Sequence, residues 1–234
     1  MNNTISSERF DQAQKFESDY WLSRSRDPVG IIHDLESPFA LAQHLQTTGY
    51  LDKTFDRFLD VGVGGLGLGI LWLIRAREKF GLDSLPIIAA RTDCGVVDQF
   101  VQHVQSGVKY VGAKAENMPF ADGMFDCIVC NNVLDHVQSP LAILSEIKRC
   151  LAPKGVFGFS VDTYSMAGLV KRKILRKVCP NYGSLVGHPF EWTETSMTKI
   201  LEKHGFVVES HRRRSIKGLL LGGVRRSTWL LRQV

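Results

Sequence analysis

The sequence predicts an α/β protein: a doubly wound, mostly parallel seven-stranded sheet with an antiparallel C-terminal edge and a helical N-terminal segment. Three observations support this. Strand-like and helix-like runs alternate from about residue 51 to residue 162. Strand-like runs such as DCIVCNN and VFGFSVD are apolar almost throughout, as strands covered on both faces are. The first of them, RFLDVGV, opens straight onto a Gly62-x-Gly64-x-x-Gly67 turn.

The first fifty residues read as helices. SERFDQAQKFESDYWLSR comes first, a break at Pro28–Gly30 follows, and then SPFALAQHLQTTGY with Pro38 near its start. After RFLDVGV, the glycine turn is expected to run into an apolar helix, GILWLIRAREKF. GLDSLP then turns the chain into a second strand, IIAARTD, followed by a helix, VVDQFVQHV. VKYVGA and DCIVCNN supply the third and fourth strands, and LAILSEIKRCL is an amphipathic helix ended at Pro153-x-Gly155. VFGFSVD is the fifth strand. After Asp162 come a basic segment, a turn-rich stretch, the helix TETSMTKILEKH, and two late strands, FVVESHR and STWLLRQV, which form the antiparallel edge.

Length and composition bound the function. The 234 residues suffice for one sizeable domain with appendages, and 44% hydrophobic with 23% charged residues is ordinary for a globular chain. No apolar stretch is long enough to span a bilayer, and the polar start MNNTISSERF carries no secretory signal. Five cysteines, an odd number without such a signal, imply reduced thiols in the cytoplasm. Cys127 and Cys130 form a C-x-x-C on a strand, where residues three apart face opposite ways, so no metal site is expected there. Charge is uneven: residues 1–162 hold 15 Lys and Arg against 20 Asp and Glu, and residues 163–234 hold 14 against 4. No stacking aromatics are interleaved with the basic residues, so no nucleic-acid partner is expected.

A lone glycine fingerprint also fits a turn without a ligand, and its neighbours are more informative. Asp60, immediately before the glycines, would repel the pyrophosphate of a nicotinamide cofactor and suits a ligand with positive charge, such as an amino group or a sulfonium. Asp93 ends the expected second strand, where a carboxylate can accept both hydroxyls of a ribose. Asp83 competes for that role but falls in the turn before that strand, and Asp98 reads as a solvated helix residue.

LDVGVGGLG, AENMPFADGMFDCIVCNNVLDHV, SPLAILSEIKRCLAPKGVFGFSVD and HPFEWTETSMTKILEKHGFVV occur in an order and spacing that resembles the class I S-adenosylmethionine-dependent methyltransferases of the UbiE/small-molecule type. The resemblance covers residues 55 to 211. It implies a Rossmann-like fold, with residues 1–50 as the lid and 51–234 as the methyltransferase domain, carrying a basic insertion around 163–190. It further implies that Asp60, Gly62, Gly64 and Gly67 hold the methionine part of S-adenosylmethionine, that Asp93 holds the ribose, and that the residues before the MPF turn lie along the adenine. Lys114 stands where the family usually has an acid. Lysine cannot accept a hydrogen bond from the adenine amine, so Glu116 or a nearby backbone carbonyl is the substitute. The acceptor is expected to be a small molecule, a sugar or a lipid-linked intermediate. An NAD-dependent oxidoreductase and a non-catalytic interaction protein are the alternatives.

Asn131, Asn132, Asp135 and His136 follow the fourth strand and fall at the pocket edge of such a sheet, with Asn131 counted among the cofactor contacts. His136 and His188, with Asp135, are the candidates for acid–base work; each histidine also has a structural reading, as a hydrogen-bonded or turn residue. Asn131 and Asn132 can equally satisfy loop backbone groups. His204 reads as a helix C-terminal residue. Tyr20 and Trp21 either line the lid or pin it to the core. In AGLVKRKILRKV, Val170, Ile174 and Val178 share one helical face with Ala167, and Lys171, Arg172, Lys173, Arg176 and Lys177 occupy the rest. Two readings stay open: a lid packed by its apolar stripe, or a basic face that attracts an acidic acceptor or anionic lipid, extended by Arg212, Arg213, Arg214, Arg225 and Arg226.

Overall fold

The computed structural model describes residues 4–179, 185, 188–215 and 224–233. The N-terminal helices are α1 (Ser7–Arg24), α2 (Pro28–Asp34) and α3 (Phe39–Thr47). Ser6 caps α1 by accepting the Arg9 N–H. The stretch at Pro28–Gly30, expected to interrupt helix, begins one instead. Asp27 accepts the Gly30 N–H at 2.9 Å, and proline costs nothing in a first turn whose N–H groups lack helical partners anyway.

The remaining elements are β1 (Thr54–Val61), β2 (Arg75–Asp83), α4 (Gly95–Ser106), β3 (Lys109–Gly112), β4 (Phe125–Asn131), α5 (Pro140–Cys150), β5 (Leu151–Tyr164), α6 (Met166–Val178), α7 (Glu194–Lys203), β6 (Phe206–Ser215) and β7 (Val224–Gln233). The seven strands form one sheet in the order β3-β2-β1-β4-β5-β7-β6. The first five are parallel, and β7 runs antiparallel to both β5 and β6, which gives the expected antiparallel edge. The order reverses between β1 and β4, so the ligand crevice of such a sheet belongs above their carboxyl ends.

Two expectations about the segment after β1 are corrected. GILWLIRAREKF is not a helix. The backbone turns left-handed at Gly67 and Gly69, Ile70 and Leu71 plug into the core, and the chain enters β2 at Arg75. IIAARTD is not a strand: no helix or strand lies between Ser84 and Cys94, and the backbone there bonds sideways, Ile88 N–H to Gly65 O and Arg91 N–H to Ser25 O. The second strand is therefore RAREKFGLD. Its outer half is charged and partly exposed, and only Phe80–Leu82 is buried, so its pattern imitates an amphipathic helix.

Each sheet face carries its own apolar core. Leu59, Val61, Ile128, Cys130, Phe157 and Phe159 pack on one side with α5 and α7; Phe58, Cys127, Val129, Leu41, Leu45 and Val101 pack on the other with α3 and α4. The period of two places Cys127 and Cys130 on opposite faces, as expected, and all five cysteines are unpaired. Among the described residues, no helix is long and apolar enough to cross a membrane.

Candidate functional site

A cavity of about 500 Å³ opens where the carboxyl ends of β1, β2 and β4 meet α1. Its floor is the glycine turn. Gly64 has φ +73°, and a Cβ built there would lie 2.3 Å from the Trp21 ring, so both the backbone conformation and the space demand glycine. Trp21 thus presses α1 onto the loop, and with Tyr20 it also lines the cavity. Gly62 is on the wall as well, whereas Gly67 lies beyond it, its carbonyl accepting the Tyr110 hydroxyl at 2.6 Å.

Asp60 is only 1% exposed, and its Oδ2 accepts the Ile70 N–H at 2.8 Å, which ties the far end of the loop back to β1. Burial pushes its carboxyl up to about 7; the Ile70 hydrogen bond opposes that shift and the nearby Asp83 charge adds to it.

Asp83, not Asp93, ends the second strand. Its Oδ2 accepts the Gly64 N–H at 2.8 Å, its Oδ1 accepts the Leu85 N–H at 2.9 Å, and it stands on the cavity wall. Burial raises its carboxyl above the ordinary value, against those hydrogen bonds. Asp93 is exposed, lies just before α4 and does not line the cavity. Its expected place at the end of a strand is therefore overturned, because the strand that would have carried it does not exist. Asp98 is not simply solvated either: it accepts the Thr92 hydroxyl at 2.8 Å and fixes the turn into α4.

After β3, Lys114 and Glu116 both line the cavity. The Lys114 ammonium sits 4.6 Å from the centre of the Phe10 ring on α1, a cation–π contact. Glu116 Oε1 accepts the Gln138 and Ser139 N–H groups at 2.9 and 3.1 Å, anchoring the turn before α5. Asn131 ends β4 and accepts the Ser160 hydroxyl, while Asn132 takes φ +59°, a left-handed position that asparagine tolerates.

Beyond them lies a cluster of carboxylates and imidazoles. Asp135 Oδ2 is 2.6 Å from His188 Nδ1, and Asp135 Oδ1 is 3.7 Å from His136 Nε2. The two rings lie 4.3 Å apart, and His136 Nδ1 is 3.1 Å from Glu17 Oε1 of α1. His136, His188 and Glu17 line the cavity, and Asp135 is buried behind them. Burial alone would raise the Asp135 carboxyl, but the two imidazoles hold it well below the usual carboxylate range. Ligand atoms of Asp135, His136 and His188 lie within 4.8 Å of one another, so the cluster could also hold a metal ion. His204, as expected, closes a helix: it caps α7.

The structure thus brings Gly62, Gly64, Glu116, Asn131, His136 and His188 to one cavity, with Asp60 and Asp135 buried beside it, and leaves out Asp93. Sequence reasoning missed Glu17, one of several acids on α1 with nothing to distinguish it. It discounted Asp83, for which the signal was present: the acid directly ends the apolar FGL of β2.

Comparison with known proteins places this geometry. Residues 59–159 match the model of a methyltransferase domain family. The chain is 28% identical to a ubiquinone biosynthesis O-methyltransferase of Colwellia psychrerythraea, an alignment covering 72% of each chain. It is 25% identical to the ubiquinone/menaquinone biosynthesis C-methyltransferase of Francisella philomiragia, covering 71% of this chain and 72% of that one. Among solved structures it resembles the 1,6-didemethyltoxoflavin-N1-methyltransferase of Burkholderia thailandensis, with bound 1,6-didemethyltoxoflavin and S-adenosylhomocysteine, at a TM-score of 0.64, 16% identity, and 98% and 91% of the two chains covered.

Proposed function

We propose that this chain, whose residues 59–159 match a methyltransferase domain and which resembles ubiquinone-biosynthesis methyltransferases over about 72% of their length, is a class I S-adenosylmethionine-dependent methyltransferase that methylates a hydroxyl of a small-molecule acceptor, with His188 as the base. The observation that carries this reading is the 2.6 Å contact between Asp135 and His188 at the cavity wall.

The residues present fit the cofactor. The cavity has the size of a small-molecule site, the glycine turn brings backbone close to it, and a half-buried carboxylate ends the second strand. Asp83, in place of Asp93, has acceptor capacity left after its two backbone bonds and would take the ribose hydroxyls. Gly62, Gly64 and Asp60 would hold the methionine end, Asn131 would lie beside them, and Glu116 or a backbone carbonyl would meet the adenine. When bound, S-adenosylmethionine supplies an electrophilic methyl on a sulfonium.

The chain's own work is to hold the acceptor in line, exclude water and remove a proton. With Nδ1 committed to Asp135, His188 has Nε2 free to accept the hydroxyl proton, and the ionised Asp135 stabilises the imidazolium that forms. In the division into residues 1–50 and the domain at 51–234, α1 is the lid over the cavity, whereas α3 packs on the sheet. A second reading gives the base role to His136, which Glu17 orients from α1. Contact with an acidic substrate or an anionic membrane through the basic C-terminal third, and a cytoplasmic setting consistent with five unpaired cysteines, complete the reading.

The test uses quinol and catechol acceptors. His188→Ala should lower turnover by about 10²–10⁴-fold while calorimetry shows S-adenosylhomocysteine affinity unchanged. Turnover that survives in His188→Ala and collapses in His136→Ala would transfer the role to His136.

A further inference from the structure

Helix α6 carries its apolar stripe on the wrong side for a packed lid. Of its thirteen residues only Gly168 is buried. Met166, Val170, Ile174 and Val178, four apart along one face, are 70, 55, 57 and 72% exposed. A surface helix of a globular protein ordinarily turns such a stripe towards the core. Here the inward side is anchored by two arginines together with half-buried Leu169 and Leu175. Arg172 and Arg176 both pair with Glu191, at 2.6 and 2.5 Å, and Arg172 lies 4.7 Å over the Tyr164 ring. The apolar face is left pointing outward, flanked by exposed Lys171, Lys173 and Lys177. The expectation of a lid packed by its apolar stripe is therefore overturned.

We propose that this outward face of α6 is a membrane-docking surface, its four apolar side chains entering the interfacial layer of an anionic bilayer and its three lysines meeting the headgroups. Charge complementarity selects this occupant. Two copies joined through the stripe would bring their lysine rows together, whereas acidic headgroups neutralise them. The surface adjoins the site, since Arg176 donates to the His188 carbonyl at 3.4 Å and His188 lines the cavity. Docking would therefore set the cavity beside the bilayer, where a lipid-borne acceptor resides; this last step rests on the small-molecule reading above.

Vesicle co-sedimentation of the full chain, without cofactor, tests it. Mixed phosphatidylglycerol–phosphatidylcholine vesicles should bind at least roughly tenfold more tightly than phosphatidylcholine alone at 0.1 M salt, and the preference should shrink at 1 M as the screening length falls from about 10 to about 3 Å. V170S/I174S leaves charge untouched and should weaken binding roughly tenfold, as should K171E/K173E/K177E. Circular dichroism and S-adenosylhomocysteine calorimetry confirm that both variants are folded. Equal binding to both vesicle types, or binding that neither variant changes, overturns the proposal. So does sedimentation velocity showing a dimer that V170S/I174S dissolves while vesicles stay unbound. Vesicle binding without S-adenosylhomocysteine binding would instead remove the methyltransferase premise and leave the surface standing.

Discussion

Asp60 and Asp83 end neighbouring parallel strands, and both are carboxylates that burial makes reluctant to ionise. The folded protein holds the Asp60 proton up to about 7, whereas an unfolded aspartate releases it near 3.9. The stabilisation from this group is thus complete below about pH 4 and is lost as pH rises through about 7. A cationic sulfonium or ammonium beside the loop favours the ionised form, so cofactor affinity should fall as pH drops below about 7. Asp60→Asn should flatten both trends, read by thermal denaturation between pH 4 and 8 and by calorimetry at pH 6 and 8. If the variant keeps the wild-type pH slope, Asp60 is not the titrating group. The ribose assignment has a simpler test. Asp83→Ala should weaken S-adenosylhomocysteine binding by on the order of 1–3 kcal/mol, and Asp93→Ala should leave it within a few tenths. The reverse ranking would restore Asp93.

At the scale of elements, the sequence is readable wherever one period dominates. DCIVCNN and VFGFSVD are strands because both their faces are covered, and LAILSEIKRCL is a helix because only one stripe of it is. The failures cluster between β1 and α4. GILWLIRAREKF mixes a buried plug, Ile70–Leu71, with a strand whose outer half is charged, and together they mimic helical spacing. The glycine turn before it has its tertiary partner, Trp21 of α1, some forty residues earlier, and no local pattern reveals that Trp21 covers Gly64 and Gly65. Gly64→Ala probes that contact. Positive φ costs about 1–2 kcal/mol for a side chain, and the new methyl also collides with Trp21. The variant should lose roughly 2–4 kcal/mol of stability in denaturant titration, and protease should cut first in α1. Loss of less than half a kcal/mol would mean that the lid is not seated on the loop.

Across the whole molecule, the candidate base and its neighbours are assembled from three distant stretches: α1 supplies Glu17, the loop after β4 supplies Asp135 and His136, and the loop before α7 supplies His188. Each stretch is legible as an element, but the ring contact of 4.3 Å between His136 and His188 exists only once β4 and β5 pair and the C-terminal third folds back. That third carries a charge balance of +10 against −5 for the rest, so attraction between the two parts adds to the packing that holds them. Glu17 links α1 to this cluster, beside the cation–π contact of Phe10 with Lys114 and the packing of Trp21 on the glycine turn. Glu17→Gln keeps the shape and removes the charge. Because Glu17 and His136 sit at ion-pair distance, worth up to about 1 kcal/mol, amide exchange in α1 should quicken by roughly two- to fivefold while exchange in β1 and β4 stays near the global rate. Cofactor affinity should weaken with it, because α1 forms one wall of the cavity. Faster exchange throughout the sheet would mean that Glu17 stabilises the whole fold; unchanged exchange in α1 would mean that its aromatic contacts and its other hydrogen bonds, such as Arg9 to the Leu185 carbonyl and Ser84 to Gln14, hold it.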